Sequence, residues 1–364
     1  MINIERYESI TDLSHLRAAW NKLLSENDSN EVFLTFEWFQ AWEATSFEKE
    51  KPLILIGTHD GNLAGIAPLA INKSKRKGVA YESVRFMGIG DYKDFIVHPE
   101  YKEEFVLQVI DYLKTNRHMW DAIELTNIPE NSTSIEVLKR VGQKEAIDFK
   151  VAKDMVCPAM IIDGCTEFAE SCLRKKSMVR HYNHFTKNGD LLFVNVKDPA
   201  SISSHLEPFF EQHIKRRELA GGSSLFLTPD RREFYHRLVE FMPIEWLDFT
   251  VLKFNEAPIA YHFGFFYNKK LIWYKPSFDV NYAEHSPGEV LMHFLIQQAM
   301  EFRASEFDFT IGDEPFKRRF SNIVRYTYQV GYIGNKALNL YWISASRVKD
   351  ALKKMRFIGN SMTE

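Results

Sequence analysis

Apolar and polar positions along the chain switch between a period of two and a period near 3.6, and the switches come in the same order twice. In the second half, LLFVNV (Leu191 to Val196) reads as a strand. Helical spacing follows from about Ile202 to Leu219 and from about Asp230 to Met242, the second run entered through Thr228 and Pro229. The β-rich stretch FTVLKFNEAPIAYHFGFFYNKKLIWYKPSF breaks at the turn-forming pairs Asn255–Glu256 and Asn268–Lys269, which predicts a three-stranded antiparallel meander. A helix starting at Ser286, a strand from Glu306 to Ile311, a short helix around Glu314 to Ser321 and a closing strand VRYTYQVGYI complete the unit.

The first half repeats this order more faintly. NIERYES reads as a strand, DLSHLRAAWNKLLSEN and FEWFQAWEATS as helices, and PLILIGTHDGNLAGIAPLAIN as a hairpin turning at Asp60–Gly61. FVLQVIDYLKTNRHMWDAIELTNI then gives a helix and a strand. Internal repetition decides architecture before local detail, so the chain is expected to hold a duplicated α/β unit. The division is a first domain over residues 1–165, a second over 166–340 and a helical tail over 341–364. HSPGEVL before the helix and GDEPFK after the strand in the second copy correspond to HPEYKEEFVL and NIPENS in the first. The first copy lacks the small residues and the charged turn, which makes the second the working one.

Bulk composition narrows the classes. With 364 residues, 45% hydrophobic and 26% charged, the sequence describes an ordinary globular chain with room for two cores. A net charge of −3 gives no global pull toward nucleic acid, and none is expected as a partner. No apolar run approaches the roughly 18 to 20 residues that span a bilayer, and MINIERYESI has no signal-like apolar region, so a cytoplasmic location is expected. Cys157, Cys165 and Cys172 fit neither disulfide nor zinc spacing and read as small thiols in a reducing compartment. There is no GxSxG elbow, Walker A loop or HExxH helix, and no metal is expected.

Candidate chemistry concentrates between Ser286 and Phe320. Ser286 suits an N-cap, Pro287 the first helical position, and Glu289 a capping box, while Gly288 lets a ligand approach the backbone. The free N–H groups and dipole of such a helix favour an anion such as a pyrophosphate, and the same residues also make an ordinary capping box. Group transfer beside such an anion site would need a base and a proton donor. Asp308 and Asp313 are the first candidates, with His262 and Glu314 behind them. Asp308 faces away from Phe307 and Phe309, toward a cleft or an ion pair; His262, mid-strand, also reads as a satisfied structural histidine. Asp313 and Lys317, four apart at a helix start, suit a local ion pair. The stretch SCLRKKSMVRHYNHFTKNG reads as a basic helix with Arg180 on its charged face, and Arg216 and Arg217 precede a Gly221–Gly222 turn. Lys317, Arg180 and Arg217 are the candidate substrate-binding cations, with surface solvation as the alternative for both arginines.

SPGEVL and FDFTIGDEPFKRRF, with FEWFQAWEATSF and APIAYHFGF…LIWYKPSFD, resemble the BioF2-like or CelD (BcsL)-like acetyltransferase family. That family belongs to the GCN5-related N-acetyltransferase superfamily and is related to Fem-type peptidoglycan aminoacyltransferases. The resemblance implies an α/β (α+β) protein of tandem acetyltransferase folds, each a mixed, mostly antiparallel sheet flanked by helices. It implies an acyl-CoA-dependent N- or O-acyltransferase with acetyl-CoA or another acyl-CoA as co-substrate. The acceptor would be an amine or hydroxyl of a sugar or cell-envelope polysaccharide precursor, as a small molecule, sugar nucleotide or lipid-linked sugar. A Fem-type aminoacyl-tRNA-dependent transferase and a non-catalytic assembly protein are the alternatives. The related turn commonly reads Gly-Asp-Glu-x-Tyr-Lys, and its tyrosine position is Phe316 here, leaving Tyr274 or a water to protonate the thiolate.

Overall fold

In the computed structural model, residues 1–45, 50–76, 78–335 and 337–340 are described; the expected tail over 341–364 lies outside them. The strands are β1 (Asn3–Tyr7), β2 (Glu50–His59), β3 (Asn62–Arg76), β4 (Val79–Phe86), β5 (Ile96–Val97), β6 (Ala122–Pro129) and β7 (Lys150–Ile161) in the first half. The second half adds β8 (Leu191–Val196), β9 (Leu247–Phe254), β10 (Ala257–Tyr267), β11 (Lys270–Phe278), β12 (Glu306–Asp308) and β13 (Ile323–Ile333). They form one continuous sheet in the order β1-β2-β3-β4-β6-β13-β7-β12-β11-β10-β9-β8, with β5 beside β3. The pairs β4–β6 and β11–β12 are parallel, and the rest are antiparallel.

The helices are α1 (Arg17–Glu26), α2 (Phe36–Glu43), α3 (Lys102–Thr115), α4 (Ser134–Lys144), α5 (Thr166–Leu173), α6 (Lys176–Asn188), α7 (Pro199–Leu219), α8 (Pro229–Phe241), α9 (Pro287–Glu301) and α10 (Pro315–Arg319). The repeated order is therefore real: a meander, a crossover helix and a parallel strand occur as β2-β3-β4-α3-β6 and again as β9-β10-β11-α9-β12. Parallel neighbours require such a crossover, which is why each parallel pair follows α3 or α9. The expected mixed, mostly antiparallel sheet flanked by helices is what the chain forms.

Three differences from the sequence reading matter. The strand expected to reach Ile311 stops at Asp308, because Thr310 takes a left-handed φ of 56° and its N–H donates to Asp308 Oδ1 at 2.7 Å. The single basic helix is two, α5 and α6, parted at Arg174–Lys175. The closing strand β13 does not stay with the second half; it lies between β6 and β7 and so ties the end of the chain into the first.

One sheet face is shared. Trp38 of α2 meets Phe234 of α8 at 5.2 Å between ring centroids and Tyr274 of β11 at 5.9 Å, so helices of both halves enclose a common aromatic core. The opposite face carries two separate cores, under α3 and α4 in one half and under α5, α6 and α9 in the other. No helix among the described residues is long and apolar enough to cross a membrane.

Candidate functional site

Beyond Lys270↔Glu306 to Ile272↔Asp308 the two parallel strands of the second half stop pairing. β11 continues to Phe278, while the other chain turns away through Thr310 and Gly312. Among the described residues, the Thr310 hydroxyl donating to the Trp273 carbonyl at 3.5 Å is the hydrogen bond that crosses this gap. The first half has the same divergence after Ser83↔Ala122 and Val84↔Ile123, but there residues 88–95 close it. The Lys93 N–H donates to the Asn127 carbonyl at 2.9 Å, and Asn127 Nδ2 donates to the carbonyls of Gly90 and Asp91, each at 3.2 Å.

A bulge shapes the open strand. Pairing jumps from Phe263↔Lys275 to Phe265↔Ile272, so Trp273 and Tyr274 together oppose Gly264. His262 fills the space beneath it: its ring stacks on Trp273 at 5.0 Å, and its Nε2 accepts the Tyr274 N–H at 3.3 Å. An accepting Nε2 places the ring proton on Nδ1, which faces Asp248 Oδ2 at 3.6 Å. Asp248 Oδ1 accepts from Asn195 Nδ2 at 2.8 Å and Gln298 Nε2 at 2.6 Å. Burial works to raise the Asp248 carboxyl, but His262 and its other partners outweigh it and hold it below the usual range. His262 is fully buried and its lone pair is spent on the backbone.

From Phe278 a two-turn 3-10 segment, Val280–His285, delivers the chain to Ser286, and α9 starts at Pro287. The expected capping box does not form. Ser286 is left-handed at φ 50° and ψ 59° with no side-chain cap bond, and Glu289 pairs with Arg319, which also donates to Ser177 Oγ at 3.0 Å. That guanidinium answers the repulsion a carboxylate would offer an anion here, and Glu289 Oε2 is left buried without a donor. A Cβ on Gly288 would meet Phe278 Cδ1 alone, at 3.5 Å, so the space over the helix start is open. Arg180 of α6 is exposed on the same side, its Nη2 3.2 Å from His181 Nε2, and His184 stacks on His285. Burial pushes the His181 imidazole down against the opposing pull of Glu289, with Arg180, His285 and Arg319 adding to the drop.

The remaining candidates disperse. Asp308 is 1% exposed and belongs to a buried polar group joining the halves. Its Oδ1 also accepts from the Tyr92 hydroxyl at 2.9 Å, and its Oδ2 has no partner. The cavity beside it, lined by Glu31, Tyr92, Cys157 and Arg325 among others, has about 10 Å³ accessible to water, room for about one molecule. Burial raises the Glu31 carboxyl there and pushes the Cys157 thiol up to about 12. Asp313 is exposed and pairs with Arg318, not with Lys317; Lys317 is buried, donating to the Ile311 carbonyl at 2.6 Å and pairing with Glu314 at 3.1 Å. Tyr274 is buried in the shared aromatic core, and burial raises its phenol. Arg217 holds its own loop, with Nε donating to the Ser223 carbonyl at 3.4 Å; its neighbour Arg216 lies 5.6 Å over the Phe278 ring, near the helix start. A cavity of about 630 Å³ lies elsewhere, against β4, β6, β7 and β13, and its Arg85 and Lys150 are paired with Glu124 and Asp148.

Sequence reading passed over Arg319, Lys93 and Lys275, and named Arg216 beside Arg217 before the Gly221–Gly222 turn. Lys275 carried a usable signal, a lysine inside the apolar strand IWYKPSF.

Residues 174–318 match the acetyltransferase (GNAT) domain family, which covers the bulge, the gap and the start of α9. No curated protein matches the chain in sequence. Among solved structures it is similar to FemX, with a TM-score of 0.65 at 12% identity over 93% of this chain and 99% of that one. It is also similar to a conserved protein of Bacteroides thetaiotaomicron VPI-5482, with a TM-score of 0.61 at 12% identity over 91% of this chain and 100% of that one. L-PGS from Bacillus licheniformis gives 0.55 at 11% identity, over 92% of this chain and 96% of that one. At these identities the likeness is one of fold, and it runs through both halves.

Proposed function

We propose that the chain is an acyltransferase that moves an acyl group, acetyl in the first instance, from acyl-CoA to an amine or hydroxyl of a sugar or cell-envelope polysaccharide precursor. The observation that carries this is the parting of β11 from β12 beside the open start of α9, inside the segment that matches the acetyltransferase domain family. Gly288 would hold the pyrophosphate of the donor with its backbone N–H and the helix dipole, Ser286, whose own N–H is bonded to the Ala283 carbonyl, and Pro287, which has none, would shape the entrance, and Arg319 neutralises Glu289. Bound acyl-CoA supplies an activated thioester; the protein's part is to align it along the free edge from Trp273 to Phe278 and to bring the acceptor against it.

The first half serves as scaffold in this reading, since its own gap is filled by residues 88–95. That segment instead reaches the second half, through Tyr92 to Asp308. Lys93 from the same segment, with Arg231 of α8 near it, puts positive charge on the acceptor side, suited to a phosphorylated sugar. Thiol release from acetyl-CoA and longer acyl-CoAs, followed with amino sugars and sugar phosphates as acceptors, tests the reading. Acceptor-dependent release is expected. Absence of release together with salt-sensitive binding of aminoacyl-tRNA through residues 174–187 would replace it with the Fem-type donor.

A further inference from the structure

None of the acid and base candidates named from sequence is placed to take a proton from an acceptor. Asp308 is enclosed, His262 is bonded to backbone, Asp313 and Glu314 are exposed and paired with Arg318 and Lys317, and Tyr274 is a buried phenol. Lys275 stands next to the bulge, on the stretch of β11 that has no parallel partner. Its ammonium lies 3.6 Å above the Tyr274 ring, and among the described residues it makes no ion pair. The titratable and charged groups facing it come from four directions: Asp91 from the segment of the first half, Arg231 from α8, Glu314 and Lys317 from the start of α10, and His213 from α7.

We propose that Lys275 is the catalytic base of the second half, its neutral amine taking the proton of the acceptor as the acceptor attacks the thioester. The inference rests on the acyltransferase reading above. Burial is the largest influence on the amine, opposed by Asp91 and reinforced by Lys317 and Arg231, and it holds the ammonium below the usual lysine range. In the step, the acceptor oxygen or nitrogen bonds to the acyl carbon, its proton passes to Nζ of Lys275, and the carbon–sulfur bond breaks with its electron pair leaving on sulfur. Lys275 then returns the proton to the thiolate, so that acceptor and acyl-CoA give acylated acceptor and free thiol with no other reactant. The arrangement also accounts for Phe316 in the turn: one amine serves both transfers, and a separate phenol donor is dispensable.

Three measurements on the full chain test this. Trace acetylation with acetic anhydride across a pH series, read by peptide mass spectrometry, gives the titration of Lys275 beside that of exposed lysines such as Lys187. Lys275 is expected to become reactive at lower pH. Calorimetry with acetyl-CoA is expected to give affinities within about twofold for wild type, Lys275→Arg and Lys275→Met. Acceptor-dependent thiol release is expected to fall by about 10² in both variants, the scale of general-base catalysis, with KM for acetyl-CoA unchanged. Reactivity of Lys275 at the same pH as Lys187, or undiminished release by Lys275→Arg, would overturn the role of Lys275 while leaving the acyltransferase reading intact. Wild type that binds no acetyl-CoA would overturn both.

Discussion

At the scale of single residues, histidines separate what a sequence can say from what packing decides. His262 sits in an apolar strand and His213 in the polar stretch EQHIKRR of α7, yet both are buried. His213 Nδ1 lies 2.8 Å from Ser224 Oγ, and burial, with Arg216, Lys275 and Arg217 behind it, pushes its imidazole down to about 3. The folded chain thus keeps His213 neutral at pH values where the unfolded chain, with an ordinary value of 6.5, binds a proton. Its contribution is full above pH 6.5 and declines as pH falls toward 3, by roughly 1.4 kcal/mol per pH unit at the steepest. Denaturant titrations over that range are expected to show His213→Gln losing stability less steeply than wild type; parallel curves would contradict the assignment. Glu289 gives the complementary lesson. Its place at the helix start was legible from SPGE, but its partner Arg319 is 30 residues away in the chain, and no local rule reaches that far.

At the scale of elements, the second meander, the first two strands of the first, the crossover helices and the turns at Asn255–Glu256 and Asn268–Lys269 were legible because period and turn chemistry agree, whereas β4 was not read; all four turn residues take positive φ. What was not legible is where pairing stops. β12 ends three residues early because Asp308 captures the Thr310 N–H, a side-chain bond that competes with the ladder. β7 was missed since KVAKDMVCPAMI carries charges at one end and a proline inside, yet it is paired on both sides by β12 and β13. The bulge depends on Gly264, where a Cβ would fall 2.0 Å from His262 Cε1 and 2.5 Å from the Ile272 carbonyl oxygen. Since a backbone atom cannot move aside, Gly264→Ala is expected to cost about 3 kcal/mol, at the upper end of overpacking, as read by urea unfolding. A loss below about 0.5 kcal/mol would show that the bulge tolerates a side chain and that His262 does not fix it.

At the scale of the molecule, duplication was readable from the order of elements, whereas the interlocking of the copies was not, because it lies in strand order. β13 pairs with β6 and β7 of the first half, β7 in turn pairs with β12 of the second, and Tyr92 and Glu31 of the first half bond Asp308 and Lys270 of the second. The halves are therefore expected to unfold together. A chain ending at Ser321, without β13, should lose the cooperative thermal transition seen by circular dichroism in the full chain, and a retained sharp transition would contradict this. Under the proposed function the interlock also gives the first copy a role, since residues 88–95 would wall the acceptor side. The central claim is that the start of α9, open at Gly288, holds the acyl donor. Isothermal calorimetry with acetyl-CoA tests it most directly, on wild type and on Gly288→Glu, whose new carboxylate would occupy the open space over the helix start and repel a phosphate. Saturable one-to-one binding to wild type and at least tenfold weaker binding to the variant is the expected result; no binding to wild type, or equal binding to both, would contradict it.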